Sequence, residues 1–214
     1  MKLFVYDHCP FCTRARMPFG LKNIPLELQI LANDDEATPI SMVGAKMVPI
    51  LETGDGYMGE SLDIVAYLDA LDDRPIFGGT VSSGLAQWLS DMSPLIAKLT
   101  IPRTPEPIYP EFETASARAY FTQKKQQSMG VQFDALLAQS DTLFAQMEQG
   151  LRALVPMLPK AEAPSIDDIH LFPVLRSLSM LQDLDIPPQV AAYRKIVSQA
   201  CGVPLVGELR AANR

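Results

Sequence analysis

Strand-forming signal in this chain of 214 residues ends before residue 60, so any sheet must be built from the first third alone. The apolar run Leu3-Phe4-Val5-Tyr6 reads as a buried strand within residues 2–6. Residues 10–21 read as a helix with Pro10 at its first position, where a missing N–H is harmless. Leu26-Glu27-Leu28-Gln29-Ile30 alternates apolar and polar with period two, the pattern of a second strand. Two strands joined by a helix imply a parallel pair. Residues 36–43 predict a short helix interrupted near Pro39. Met47-Val48-Pro49-Ile50-Leu51 and Tyr57-Met58 predict two short strands around the turn Thr53-Gly54-Asp55-Gly56. From Ser61, the positions Leu62, Ile64, Val65, Leu68 and Leu71 keep helical spacing until Asp72-Asp73-Arg74-Pro75. The expected order is βαβαββα.

Residues 73–83 contain Pro75, Gly78, Gly79, Ser82 and Ser83, a linker composition. The expected division is therefore a first domain over 1–72, a linker over 73–83 and an all-helical domain over 84–214. Phe133, Leu136, Leu137, Leu143, Phe144, Met147, Leu151 and Leu154 form one long amphipathic stripe on a helical period. Prolines 102, 105, 107 and 110 mark a break between the first two helices of this half, and Pro156, Pro159 and Pro164 mark a second irregular connection. Ser165-Ile166-Asp167-Asp168 resembles a capping box with Asp in place of Glu or Gln, opening a helix over 166–181.

With 48% apolar residues the chain can build sizeable cores. Its 18 Lys plus Arg against 25 Asp plus Glu give a net charge of −7, which offers nucleic acid and acidic membranes no general attraction. No run of 18 apolar residues suggests a membrane helix, and Met1–Tyr6 lack the length and cleavage site of a signal peptide. A cytoplasmic protein is expected. Three cysteines are too few for a disulfide scaffold, so a close pair in a reducing compartment points to chemistry, and the distant Cys201 to packing.

That close pair is Cys9-Pro10-Phe11-Cys12, between the first strand and the first helix. A thiolate at a helix start meets unpaired N–H groups and the positive end of the helix dipole, both favouring its charged form. Cys9 is thus the expected nucleophile, helped by Arg14, Arg16 or Lys22, with Cys12 shielded behind it. A zinc half-site would need two more ligands. Cys201, His8 and His170 are the candidates, no second CxxC exists, and no metal is expected. His8 adjoins Cys9, but neighbours on a strand end point apart, so a structural or solvent-exposed role is expected. Arg118, Lys124 and Lys125 read as a solvated helix face, and Trp88 with Met92, Met129, Met147 and Met180 as packing. Val48-Pro49 could be an ordinary strand start, and Glu60-Ser61 an ordinary helix N-terminus.

Taken together, the CPFC site, Val48-Pro49 opening the third strand, Glu60-Ser61 at the fourth-strand-to-helix junction and the helical second half resemble the two-domain bacterial glutaredoxins of the glutaredoxin 2 family. Tyr6-Asp7-His8-Cys9-Pro10, Gly20-Leu21-Lys22-Asn23-Ile24-Pro25 and Asp168-Ile169-His170-Leu171-Phe172-Pro173 carry the likeness along the chain. The resemblance implies a thioredoxin-like N-terminal domain followed by a helical domain, arranged as in glutathione S-transferases. It implies glutathione as the reductant, no permanently bound cofactor, and glutathionylated or disulfide-bonded proteins as substrates of a monomer. It further implies that Cys9 and Cys12 carry the chemistry. Cys9, Phe11, Val48, Pro49, Glu60 and Ser61 would contact glutathione, with Pro49 cis so that the Val48 main chain pairs with the cysteinyl unit. Gly59 departs from the family's usual proline before that Glu-Ser pair. Lys22 and Lys46 are weaker candidates for a glutathione carboxylate. The alternatives are a cysteine-type glutathione S-transferase or dehydroascorbate reductase, which needs only one cysteine, a glutathione-ligated iron–sulfur binding protein, and an interaction module with an inert CxxC.

Overall fold

The computed structural model describes residues 1–160 and 163–212 and carries a four-stranded sheet in the order β2-β1-β3-β4. The strands are β1 (Lys2–Val5), β2 (Glu27–Ile30), β3 (Ile50–Thr53) and β4 (Gly56–Met58). β1 runs parallel to β2 and antiparallel to β3, and β3 turns back on β4. The parallel pair is joined by α1 (Pro10–Leu21), the crossover that a parallel connection requires. α2 (Ala37–Val43) precedes β3, and α3 (Ser61–Asp69) follows β4.

Two local expectations need correction. The third strand was expected over residues 47–51, but its ladder begins at Ile50; Pro49 has no N–H to give, and the Val48–Pro49 peptide is cis. Pro39 does not interrupt α2. It lies in the first turn, where backbone N–H groups have no intrahelical partner to lose.

The second half is helical: α4 (Ser83–Thr100), α5 (Ala115–Met129), α6 (Phe133–Leu137), α7 (Ser140–Leu154), α8 (Ile166–Leu178), α9 (Pro188–Cys201) and α10 (Val206–Ala212). The long apolar stripe is divided between α6 and α7 rather than carried by one helix. Between α4 and α5 the proline-rich stretch forms two 3-10 turns, the second at Pro110–Phe112. The capping box at Ser165 forms, with the Ser165 amide donating to Asp168 Oδ2 at 2.8 Å. Asp168 is buried, and its other oxygen accepts from the Tyr193 hydroxyl at 2.6 Å, so Asp ties the start of α8 to α9. α8 stops at Leu178, three residues short of the expected end. Among the described residues no helix is long and apolar enough to cross a membrane.

α1 is the shared wall of the molecule. One face joins Leu3, Val5, Leu51, Ile64 and Leu68 in the core beneath the sheet, while Met17 belongs to the larger helical core. It packs on α3 and also on α8 and α9. Gly20 makes that second contact feasible, since a Cβ there would lie 2.1 Å from the Cys201 carbonyl oxygen. Helix propensity alone predicts that Gly20→Ala stabilises by about 1 kcal/mol. We expect the opposite sign, a loss of about 3 kcal/mol, because backbone rather than a flexible side chain must yield. Urea unfolding distinguishes the two signs.

Polar groups also cross this contact. Asp7 is buried between Arg16 and Arg176, both of which donate to its carboxylate. Arg176, buried on α8, additionally donates to the Asp7 and Pro204 carbonyls and to Thr13 Oγ1.

Candidate active site

Cys9 caps α1 in an extended conformation, and its carbonyl accepts the first helical bond, from Thr13 N at 2.9 Å. Pro10, at the first helical position, supplies the φ the turn needs without an N–H to satisfy. Cys9 is half-buried, while Cys12, one turn along the same helix, is inaccessible and accepts from the Tyr6 amide at 3.4 Å. Both thiols are free.

The two sulfurs are driven in opposite directions. A hydrogen bond from the Cys12 thiol is the largest influence lowering Cys9, opposed by burial and assisted by the His8 charge and the Phe11 and Cys12 amides; the result is about 6. Cys12 is pushed well above the usual thiol range, first by burial, then by its bond to Cys9 and the Cys9 charge, with Glu111 adding to the effect. The helix terminus therefore acts as expected, but Arg16 and Lys22 do not serve Cys9. Arg16 is committed to Asp7, and Lys22 bridges Asp69 at 3.0 Å and Asp72 at 2.8 Å, fastening the end of α3. Arg14 does face the site. Burial lowers its pKa while the Cys9 charge acts against that fall.

Arg14 also links two of the expected glutathione contacts. Its guanidinium lies 5.4 Å from the exposed Phe11 ring, and Nη1 donates to Ser61 Oγ at 3.3 Å. Sequence reading gave Arg14 a charge role only; its place one turn after Phe11 was the available signal. Val48 packs on the same cluster of Leu3, Val5, Cys12 and Leu51 that Cys9 touches. Glu60 is exposed and takes φ 60°, an uncommon conformation for a residue other than glycine, directly before α3. At Gly59, an added Cβ would sit 3.2 Å from Met47 Cε, so the Met47 side chain fills the space beside the Glu60-Ser61 turn.

His8 is neither solvent-exposed nor idle. Its Nδ1 lies 2.7 Å from Glu111 Oε1, and its amide donates to the same oxygen at 2.9 Å. The ring stacks on Tyr6 and meets Tyr109, Phe112 and Phe121 of the helical half. Glu111 was missed from sequence, being 103 residues away with no motif around it. Lys46 donates to the Asn33 carbonyl and lies 4.1 Å over the Tyr120 ring. Cys201 is buried and pushed up to about 11 by that burial, which makes it a poor nucleophile. Among the described residues no group of three or more His, Cys, Asp or Glu is placed to hold a metal ion.

A cavity of about 470 Å³ opens beside Cys9 between the two halves. Phe11 and Arg14 line it from the sheet side, and Ile96, Phe121 and Val174 from the helices.

Residues 84–209 match the family model described as glutaredoxin 2, C terminal domain, and residues 3–75 match that described as glutathione S-transferase, N-terminal domain. Glutaredoxin 2 of Escherichia coli strain K12 is 45% identical over 214 residues, covering 98% of this chain and 99% of the relative. The crystal structure of glutaredoxin 2 from Salmonella typhimurium in complex with glutathione matches with a TM-score of 0.92 at 43% identity, over 97% of each chain. A Ceriporiopsis subvermispora glutathione S-transferase, also solved in complex with glutathione, shares the fold alone, with a TM-score of 0.70 at 13% identity over 95% of this chain and 98% of that one.

Proposed function

The chain belongs to the glutaredoxin 2 family, and from that premise we propose that it is a glutathione-dependent thiol-disulfide oxidoreductase working through Cys9 and Cys12. The observation that carries this reading is the pairing of a half-buried Cys9, pulled to about 6 at a helix start, with a shielded, strongly raised Cys12 one turn behind. One sulfur is ionised and reachable at neutral pH; the other keeps its proton until it is needed.

With a glutathione mixed disulfide, the Cys9 thiolate attacks the glutathione sulfur and the partner leaves as a thiol. A second glutathione, as its thiolate, then attacks the glutathione sulfur of that mixed disulfide; the bond to Cys9 Sγ breaks, Cys9 leaves as a thiolate and glutathione disulfide is released. With a protein disulfide, Cys9 forms the mixed disulfide and Cys12 displaces the substrate by closing the Cys9–Cys12 bond, which glutathione later reduces. Phe11, Val48, Pro49, Glu60 and Ser61 are the proposed glutathione contacts, to which the geometry adds Arg14. Glu60 would attract the γ-glutamyl ammonium, while Ser61, the α3 N-terminus and Arg14 would receive its carboxylate. We take residues 1–72 and 84–214 as the two domains joined by 73–83, and a cytoplasmic monomer with no permanently bound cofactor as the working form.

Cys12→Ser tests the division of labour. Activity on a small glutathione mixed disulfide should persist within a few-fold, while reduction of a protein disulfide should fall by two orders of magnitude or more, on the order of a lost resolving step. Equal loss of both reactions would sink the assignment. Full activity on both would favour the single-cysteine transferase reading, and a visible absorption band in the purified protein would favour the iron–sulfur reading.

A further inference from the structure

A buried thiol that must ionise needs a proton acceptor, and solvent cannot reach Cys12. The helical half supplies a carboxylate nearby. Glu111, in the turn Pro110–Phe112, is almost wholly buried. Its Oε1 is held twice, by the His8 amide at 2.9 Å and by His8 Nδ1 at 2.7 Å, while its Oε2 is buried with no hydrogen-bond partner. An unpaired buried acceptor costs about 1–3 kcal/mol, so structures keep few of them without a use.

The backbone ties this carboxylate to the same short segment that holds the Cys12 sulfur. The Tyr6 amide donates to Cys12 Sγ, and the His8 amide, two residues on, donates to Glu111 Oε1. Those two donor nitrogens can lie at most ~7 Å apart along the chain. Consistent with that proximity, the Glu111 charge is among the causes that raise Cys12. The His8 ring, in contact with Oε1, lines the cavity together with Cys9 and offers a route from the carboxylate to solvent.

We propose that Glu111, carried by the helical domain, is the acceptor for the Cys12 proton during the dithiol reaction. The proposal rests on the oxidoreductase reading above and deepens it. When Cys12 attacks Cys9 Sγ in the mixed disulfide, the Cys12 S–H bond breaks and its proton passes, relayed by a water, to the free Glu111 oxygen, which lies beyond direct hydrogen-bond reach of the thiol. The Cys9–Cys12 bond forms, the bond from Cys9 to the substrate breaks, and the substrate sulfur leaves with the electron pair and is protonated from water. The dithiol is oxidised by two electrons and the substrate disulfide is reduced by two. In the return half, glutathione attacks Cys9 Sγ, Cys12 leaves as a thiolate, and a proton comes back to it by the same route.

The test is Glu111→Gln, which keeps an acceptor for the His8 amide but removes the base. Reduction of a disulfide-bonded protein and of a small glutathione mixed disulfide is followed between pH 6 and 9. Of the groups facing the pair, Tyr6 and Tyr109 are pushed upward by burial and stay neutral in this window, and Arg16 stays charged. Cys9 and His8 bear on both reactions, so the mixed-disulfide assay controls for them. We expect the protein-disulfide reaction at pH 7 to fall about 100-fold, the scale of a lost general base, and to recover as pH rises. The mixed-disulfide reaction should stay within about threefold by the same reasoning. Glu111→Asp, which keeps a carboxylate on a shorter arm, should lose less and carries the same comparison if the glutamine variant does not fold. Parallel loss of both reactions with one pH profile would overturn the proposal and leave Glu111 a domain fastener, and so would an unchanged protein-disulfide reaction. Loss of neither reaction in Cys9→Ser would instead overturn the oxidoreductase reading itself.

Discussion

Cys9→Ser is expected to abolish turnover of both mixed disulfides and protein disulfides, by more than about 1,000-fold, because a serine hydroxyl does not ionise near neutral pH and cannot form the mixed disulfide. The wild-type protein should react with iodoacetamide along a titration curve centred near pH 6, slow below it where Cys9 is a thiol and flat above it. A Cys9 that labels only above pH 8 would refute the site as described. Magnitudes also show where the low value matters. At pH 7 a thiol of pKa about 6 is about 90% ionised, against about 3% for an ordinary thiol near 8.5, a gain of about 30-fold. Intrinsic nucleophilicity falls with basicity, with a slope of about 0.4–0.5, which takes back roughly tenfold. The attack on substrate thus gains only a few-fold. The larger benefit falls on the step in which Cys9 leaves, when the second glutathione attacks the glutathionylated enzyme.

The second large effect lies away from the chemistry. Asp7→Asn should destabilise the protein by about 3–5 kcal/mol, the cost of leaving buried charge unpaired, since Arg16 and Arg176 would face each other with no anion between them. For a chain of this length that is roughly a 10 °C drop in melting temperature. Burial pushes the Asp7 carboxyl upward, but Arg176 and Arg16 outweigh it and hold its pKa below the usual carboxylate range. A lowered native pKa contributes stability that is fully present above the unfolded value of ~3.9 and is lost as pH falls through the native value. Wild type should therefore lose this contribution below about pH 4, and the melting-temperature gap between wild type and Asp7→Asn should narrow there. A gap that stays constant down to pH 2 would show that the pair of arginines does not depend on the Asp7 charge.

Much of the fold was legible because its signals are local. Pro10 at a helix start, the period-two run at 26–30 and the Ser165-to-Asp168 cap each depend on neighbours within four residues. What was misplaced depended on context. Pro39 counts as a breaker in one-dimensional pattern, yet in the first turn of α2 it removes no bond. The stripe from Phe133 to Leu154 looked continuous because periodicity does not register the break between α6 and α7. At the site, the exposed-first, shielded-second placement of Cys9 and Cys12 follows from helix position, whereas their opposite tendencies come chiefly from the bond between the two sulfurs and from burial of Cys12. Nor do the roles of the three cations follow from helix position. Arg14, Arg16 and Lys22 are alike in sequence, yet each is claimed by a different partner, Ser61, Asp7 and Asp69, which only packing brings near.

By itself, then, the sequence determined a βαβαββα unit followed by helices and a reactive cysteine at the first turn of a helix, because strand period, helix period and capping are properties of contiguous residues. Tertiary structure alone decided that Gly20 seats α1 against Cys201, that Arg176 reaches Asp7 across 169 residues, and that Glu111 comes to rest on His8. Those pairings are long-range, and nothing in one-dimensional spacing encodes which buried charge will meet which when two cores close on a shared helix.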